Sequence, residues 1–238
     1  GWIAASILGG IVADSCGIAT AFFVCSALLM VGAVSIHRLV SEPKIDLSPA
    51  HIHFSEYGRY KNLASFLLVT AITGVSKMMV HEIFPIYLSN LGATKTIIGA
   101  AAAIAGISEI PGLVYLGSLS DRIGRKPVLT MVFFAYPLRW FLYTVIDEPL
   151  LVLPVELLHM FTFGAYLSVS TAYISDITSS QERGTAMGLF NTSSSLGAVI
   201  GPAVGGIIAD KFGIITMFRI SSAIALASAI VFYLQRKA

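Results

Sequence analysis

Polar residues interrupt this chain at long, nearly regular intervals. Between them run apolar stretches at about 16–39, 62–89, 95–117, 127–147, 149–174, 184–209 and 213–235. A helix needs roughly 20 apolar residues to cross a hydrocarbon core about 30 Å thick, so each stretch predicts one spanning helix. Gly1 to Ala13 is apolar as well. At about 1.5 Å per residue it reaches only about 20 Å and predicts the end of a helix, as if the chain were cut inside one. No basic segment of a signal peptide precedes it.

Composition sharpens this pattern into an all-α integral membrane protein. The chain is 56% hydrophobic and 12% charged, where soluble domains carry about 25% charged residues. A net charge of +2 is too small to imply a nucleic-acid partner. Cys16 and Cys25, nine apart in one apolar run, read as small core residues. Neither metal-ligand spacing nor a disulfide framework is expected of them. No phosphate loop or nucleophile motif stands out, and the glycine runs lie inside apolar helices, so neither an enzyme nor a bound cofactor or metal is expected.

The chain also repeats itself. Shifted by 196 residues, GWIAASILGGIVADSCGIATAFFVCSA lies over GAVIGPAVGGIIADKFGIITMFRISSA. Gly9, Gly10, Asp14 and Gly17 fall on Gly205, Gly206, Asp210 and Gly213. A repeat of this length holds about six helices. Residues 1–40 are then the end of an N-terminal six-helix repeat, 41–61 a linker, and 62–238 a complete C-terminal repeat. The rest of the first copy, an N-terminal half that this chain lacks, is expected upstream.

Parallel six-helix repeats are the architecture of major facilitator transporters, and one stretch carries the resemblance. Gly117-x-Leu119-x-Asp121-Arg122-x-Gly124-Arg125-Lys126-x-x-Leu129 is similar to the loop signature of that superfamily at every defined position. There the signature lies in the cytoplasmic loops between helices two and three and between eight and nine. The helix count places it at eight to nine, so the chain would run from the end of helix five through helix twelve. The resemblance implies a secondary transporter that moves a small solute across the bilayer by alternating access. It also implies a latch that forms when the cytoplasmic side closes. Gly117 would let helix ends approach, and Asp121 would face a neighbouring helix N-terminus. Arg125 would pair with an acid at the end of helix ten, Asp176 or Glu182, next to Arg183. The alternative is a topology signal alone, which explains Arg122, Arg125 and Lys126 but neither the glycines nor Asp121.

Charge supports that orientation. With residues 117–129 cytoplasmic, the same side holds Arg38, Lys44, Arg59, Lys61, Arg183, Arg236 and Lys237, while Lys95 and Lys211 lie outside. This is the positive-inside bias of a multi-pass protein of the cell membrane, with a cytoplasmic C-terminus. His51 and His53 in the linker read as solvated loop residues.

Gly197, Gly201 and Gly205 recur every four residues and share one helical face with Pro202 and Gly206 close by, a pattern for close helix packing. It is similar to the helix-five signature of drug:proton antiporters, displaced here to helix eleven. The matching helix-five positions, Gly1, Ala5 and Gly9, stay small, with Ser6 where the proline would be.

Ionisable residues inside spans cost about 2.5–3.5 kcal/mol each at the centre on insertion scales. The sequence nevertheless places Lys77, His81 and Glu82 in helix seven, Glu109 in eight, Arg139 in nine, and Glu156 and His159 in ten. Lys77 and His81 are four apart, Glu156 and His159 three apart, and each pair shares a helical face. These seven are the candidate substrate and proton pathway, around a cavity expected between helices seven, eight and ten. Glu109, beside Pro111, is the foremost candidate for binding a proton. The phrases SEIPG, LRWFLY and LLHMFTFGAYLSVSTAYISD look like the branch holding the phenylpropionate permease and nucleoside:proton symporters. That resemblance implies proton-coupled symport. A drug or metabolite:proton antiporter, or a non-transporting membrane sensor on the same fold, remains the alternative.

Overall fold

The computed structural model describes residues 2–39 and 57–235. These form eight helices: α1 (Trp2–Cys16), α2 (Ile18–Leu39), α3 (Tyr57–Asn90), α4 (Lys95–Ile123), α5 (Arg125–Val145), α6 (Pro149–Ile177), α7 (Arg183–Phe212) and α8 (Ile214–Leu234). Seven of them, α2 to α8, are long and apolar enough to cross a membrane. Residues 40–56, with Lys44, His51 and His53 of the expected linker, lie outside the described part, as do Arg236 and Lys237. Residues 57–61 belong to α3, so that helix begins earlier than its apolar stretch.

The turns show why the repeat was visible. Gly17 has φ 87° and Gly213 has φ 85°. A side chain is strained in that left-handed region, so glycine is selected at both positions. Each reverses the chain after the same Ala-Asp sequence.

The core lies among α3 and α5–α8. Phe66, Phe133, Tyr173, Phe190 and Phe232 form an aromatic cluster with ring centroids 4.8–6.4 Å apart. Small polar residues join α3 to α8: Thr73 and Ser228 hydroxyls stand 2.8 Å apart, and Ser76 and Ser221 exchange hydroxyl-to-carbonyl bonds of 2.8 Å. Trp140 of α5 donates to Ser76 at 3.2 Å. In lipid, where both surfaces are equally apolar, such bonds and close packing hold helices together.

The glycine stripe of α7 packs on α3. A Cβ at Gly197 would stand 2.3 Å from the carbonyl carbon of Gly74, and one at Gly201 would be 2.7 Å from Met78 Cβ. A Cβ at Gly205 would be 3.0 Å from Met79 Cα, a looser approach. Gly74 is the unforeseen half of this contact. One expectation needs correction: Gly206 faces open space, so it packs against nothing among the described residues. Pro202 sits inside the helix Arg183–Phe212.

Cys16 and Cys25 are exposed free thiols rather than core residues. The reason is that α2 packs mainly on α1, leaving Phe22, Phe23, Leu28 and Leu29 uncovered around Cys25.

Candidate substrate and proton site

Two helices, α4 and α6, touch backbone to backbone midway along their lengths. Pro111 has no N–H to return to the preceding turn, and α4 opens into a π turn over Gly112–Leu116. α6 does the same over Met160–Ala165. The two loosened turns meet through glycines. A Cβ on Gly112 would lie 2.2 Å from the Met160 carbonyl oxygen, and one on Gly164 would lie 2.5 Å from that of Glu109. Such π turns are frequent at functional sites. Here the crossing carries Glu109, in the middle of α4, against His159 on α6.

Four of the seven expected residues converge into one chain of contacts. Arg139 of α5 is only 5% exposed. Its Nη2 donates to Glu156 Oε2 at 2.5 Å, its Nη1 contacts His159 Nδ1 at 2.5 Å and Thr162 Oγ1 at 3.0 Å, and its Nε donates to the Tyr143 hydroxyl at 2.8 Å. Tyr143 in turn donates to Glu156 Oε1. The guanidinium also lies 5.3 Å from the Trp140 ring centroid. All three guanidinium nitrogens and both carboxylate oxygens of the Arg139–Glu156 pair therefore have a partner, which is what a charge pair withdrawn from water requires.

The His159 tautomer follows from its neighbours. Guanidinium nitrogens only donate, so Nδ1 must accept, and the ring proton sits on Nε2. That proton points to Glu109 Oε1, 3.0 Å away. The result is a relay, Glu109–His159–Arg139–Glu156, across α4, α6 and α5. Its two ends differ. The Arg139 and Glu156 side chains are 6% and 2% exposed, whereas those of His159 and Glu109 are 13% and 17% exposed.

The other three expected residues stand apart. Lys77 is half-buried, its ammonium 5.4 and 5.7 Å from the Phe163 and Tyr166 ring centroids, and has no ion-pair partner among the described residues. Phe163 also stacks on His159 at 5.5 Å, so Lys77 reaches the relay through that ring. His81 and Glu82 contact each other at 3.2 Å and are both exposed. The polar cluster is therefore built by α4, α5 and α6, with α3 adding Lys77 alone, rather than between helices seven, eight and ten as expected. Tyr143, Thr162 and Trp140 were not foreseen, although Tyr143 lies four residues after Arg139 and Thr162 three after His159.

The charged turn between α4 and α5 is organised by Arg125. Its Nε donates to Asp176 Oδ2 at 3.0 Å, its Nη1 donates to Ser120 Oγ at 2.7 Å, and Asp121 pairs with the same guanidinium. Of the two acids expected at the end of helix ten, Asp176 is the one in contact. Glu182 accepts from the Ser179 hydroxyl at 2.7 Å, and Arg183 donates to the Ser175 carbonyl at 3.3 Å. Asp121 thus pairs along its own turn instead of facing a helix N-terminus among the described residues. Gly124 has φ 95°, which makes glycine necessary between the helices. Gly117 is less constrained than expected, since a Cβ there would be 3.5 Å from Ser168 Oγ, an ordinary contact. Arg122 and Lys126 have no ion-pair partner among the described residues.

Comparison with known proteins agrees with this architecture. The chain matches the MFS_1 like family over residues 1–220. It is 30% identical over 178 residues to an uncharacterised MFS-type transporter of Methanocaldococcus jannaschii, covering 74% of this chain and 45% of that one. It is 28% identical to the multi-drug resistance efflux pump PmrA of Streptococcus pneumoniae, covering 67% of this chain and 41% of the pump. It is 24% identical to multidrug resistance protein MdtG of Klebsiella pneumoniae, covering 94% and 57%. The chain spans about half the length of these relatives. Seven apolar helices, a charged turn of the facilitator type and a family match over nearly the whole length place the chain in the MFS_1 like family of membrane transporters.

Proposed function

We propose that this chain is the C-terminal portion of a proton-coupled secondary transporter, with α3–α8 forming one six-helix unit and α1–α2 closing the preceding one. The observation that carries the coupling is the Glu109–His159 contact. A proton arriving at this pair has one good place to go. His159 Nδ1 is already turned to the Arg139 guanidinium, so a second proton on the ring would set donor against donor and cation beside cation. Glu109 is the remaining acceptor. Its protonation removes one negative charge from the site, weakens its hold on His159, and changes the field felt by a solute near Lys77.

Such a group couples transport if it gains a proton facing one side and loses it facing the other. The reading is symport: solute and proton enter the site together, and the two units rock about it. The relatives that bear multidrug names favour a second reading, antiport, in which solute and proton occupy the site alternately.

The test uses Glu109→Gln in the full-length protein in liposomes, which keeps the shape and removes the titration. Symport predicts that an inward pH gradient drives accumulation in the parent. The variant loses that accumulation but retains exchange of labelled for unlabelled solute. Gradient-driven depletion in the parent would select antiport instead. Parental uphill transport by the variant would remove Glu109 from the mechanism. Binding without exchange in the parent would make the protein a sensor.

A further inference from the structure

The charges of the interior do not all balance in place. Arg139 and Glu156 neutralise each other. Glu109 accepts a hydrogen bond from a His159 ring that the guanidinium keeps neutral. Lys77 has three N–H donors and, among the described residues, neither a carboxylate nor a hydrogen-bond acceptor. Its ammonium meets only the faces of Phe163 and Tyr166, 5.4 and 5.7 Å from the ring centroids, and ring faces offset only part of a cation's charge. Lys77 and Glu109 both lie close to the middle of their spans, Lys61–Asn90 and Lys95–Ile123. At that depth an unpaired charge is expensive and is kept where it faces a cavity or a pathway.

Among the described residues no other charge reaches this depth. His81, one turn on from Lys77, contacts Glu82 at 3.2 Å, and both side chains are more than half exposed, where water weakens their field. The charges of α7 and α8, Arg183, Asp210, Lys211 and Arg219, stand near the helix ends. At the start of α4, Asp14 and Lys95 approach to 3.9 Å. The site is therefore Lys77 and Arg139 against Glu109 and Glu156, with His159 neutral, and its charges cancel. A proton on Glu109 leaves one positive charge in excess. A monoanion beside Lys77 without that proton leaves one negative charge in excess. Both together restore neutrality. Withdrawing an unbalanced charge from water costs far more than withdrawing a balanced set, so only the empty and the doubly loaded site change sides.

We infer that Lys77 binds the charged group of a solute carrying one negative charge, and that this anion crosses together with one proton, without net movement of charge. The anion accepts the N–H donors that the described residues leave unused. The proton on Glu109 removes the negative charge with which the anion would compete for Lys77. A cationic solute, in contrast, would add its charge to that of Lys77. The coupling rests on the Glu109 proton site proposed above, while the choice of an anion rests on Lys77.

Binding to the full-length protein in detergent tests the anion, read as the ligand-dependent rise of the unfolding midpoint. The probes are the sodium salts of lactate, benzoate and benzenesulfonate, at pH values where each stays ionised, with lactamide, benzamide and benzenesulfonamide as uncharged counterparts. At least one anion is expected to bind, and to bind more tightly as the pH falls. Its amide and the Lys77→Gln variant should each weaken binding about tenfold or more, the range for a hydrogen bond to a charged group, and Lys77→Arg should keep it. In liposomes that anion should accumulate under a pH gradient faster than in protein-free controls, and a potassium diffusion potential of either sign should leave the rate unchanged. If no anion binds, or if the amides bind as tightly, the solute class is wrong. If Lys77→Gln binds the anion like the parent, or is less stable without ligand because an acid of the N-terminal unit has lost its partner, Lys77 is not the anion site. Uptake driven by the potential would overturn the charge balance. If Glu109→Gln keeps the pH dependence, the proton site lies elsewhere and the assignment of the anion to Lys77 stands.

Discussion

The charges in the middle of this bundle and those at its α4–α5 turn solve opposite problems. Arg139 is sealed among Glu156, Tyr143, Thr162 and His159, with both members of the ion pair almost inaccessible. Arg125 also holds two acids, but Asp121 and Asp176 keep 62% and 55% of their side-chain surface in contact with solvent. The interior set cannot lose a member without leaving a charge stranded in low dielectric. The turn set can trade any contact for water. One network fixes a geometry, while the other is suited to forming and breaking in each cycle.

Removing Arg139 should give the largest effect. Arg139→Met leaves Glu156 buried without a counter-charge, which costs about 3–5 kcal/mol where such pairs have been broken. Thermal unfolding of the purified protein in detergent should show that loss as a large fall in midpoint. The double variant Arg139→Met, Glu156→Met should recover much of it, because no charge is then stranded. If the double variant is no more stable than the single one, the pair is not the dominant electrostatic contact.

Second in size is the crossing that builds the site. Gly164→Ala puts a methyl group 2.5 Å from the Glu109 carbonyl oxygen, and neither backbone can yield without moving α4 from α6. Overpacking of this kind costs about 1–3 kcal/mol. The variant should be less stable and should lose pH-driven uptake, because Glu109 and His159 separate together. Gly117→Ala, at an ordinary contact distance on the facing helix α4, is the matched control and should leave both properties unchanged.

The interior and the turn also differed in how much the sequence disclosed. The seven spans were legible because a bilayer demands about 20 apolar residues per helix, and the repeat was legible because Gly17 and Gly213 need left-handed backbone. The charges of the relay stood out against an apolar background. Their partners did not. Tyr143 and Thr162 look like ordinary membrane residues, and only the crossing at Gly112 and Gly164 turns α4, α5 and α6 towards one another. That crossing depends on two π turns, which no hydrophobic period announces. Cys16 and Cys25 read as core for the same reason, since apolarity alone does not tell which positions are buried among the described residues. The partner of Arg125 was legible down to two acids, and tertiary placement selected Asp176.

The smallest expected effect sharpens the contrast most. Were Asp121 a buried cap, its loss would cost as much as a charge-assisted hydrogen bond. Its exposure argues otherwise, since ion pairs in water contribute about 0.2–1 kcal/mol. Arg125 also keeps Asp176 and Ser120 when Asp121 is neutralised. Asp121→Asn should therefore leave the unfolding midpoint nearly unchanged. If the turn is a latch, the same small energy still shifts a balanced two-state equilibrium by up to about fivefold. Cysteine labelling in the full-length protein, at a residue covered only when the 117–126 end is closed, should rise by that factor and respond to salt. Combining Asp121→Asn with Asp176→Asn should raise it further, because Arg125 then has no acid left among the described residues. Labelling that stays at the parental level in the double variant would reduce the turn to a topology signal. A fall in stability as large as that of Arg139→Met would mean that this turn, too, is part of the fixed interior.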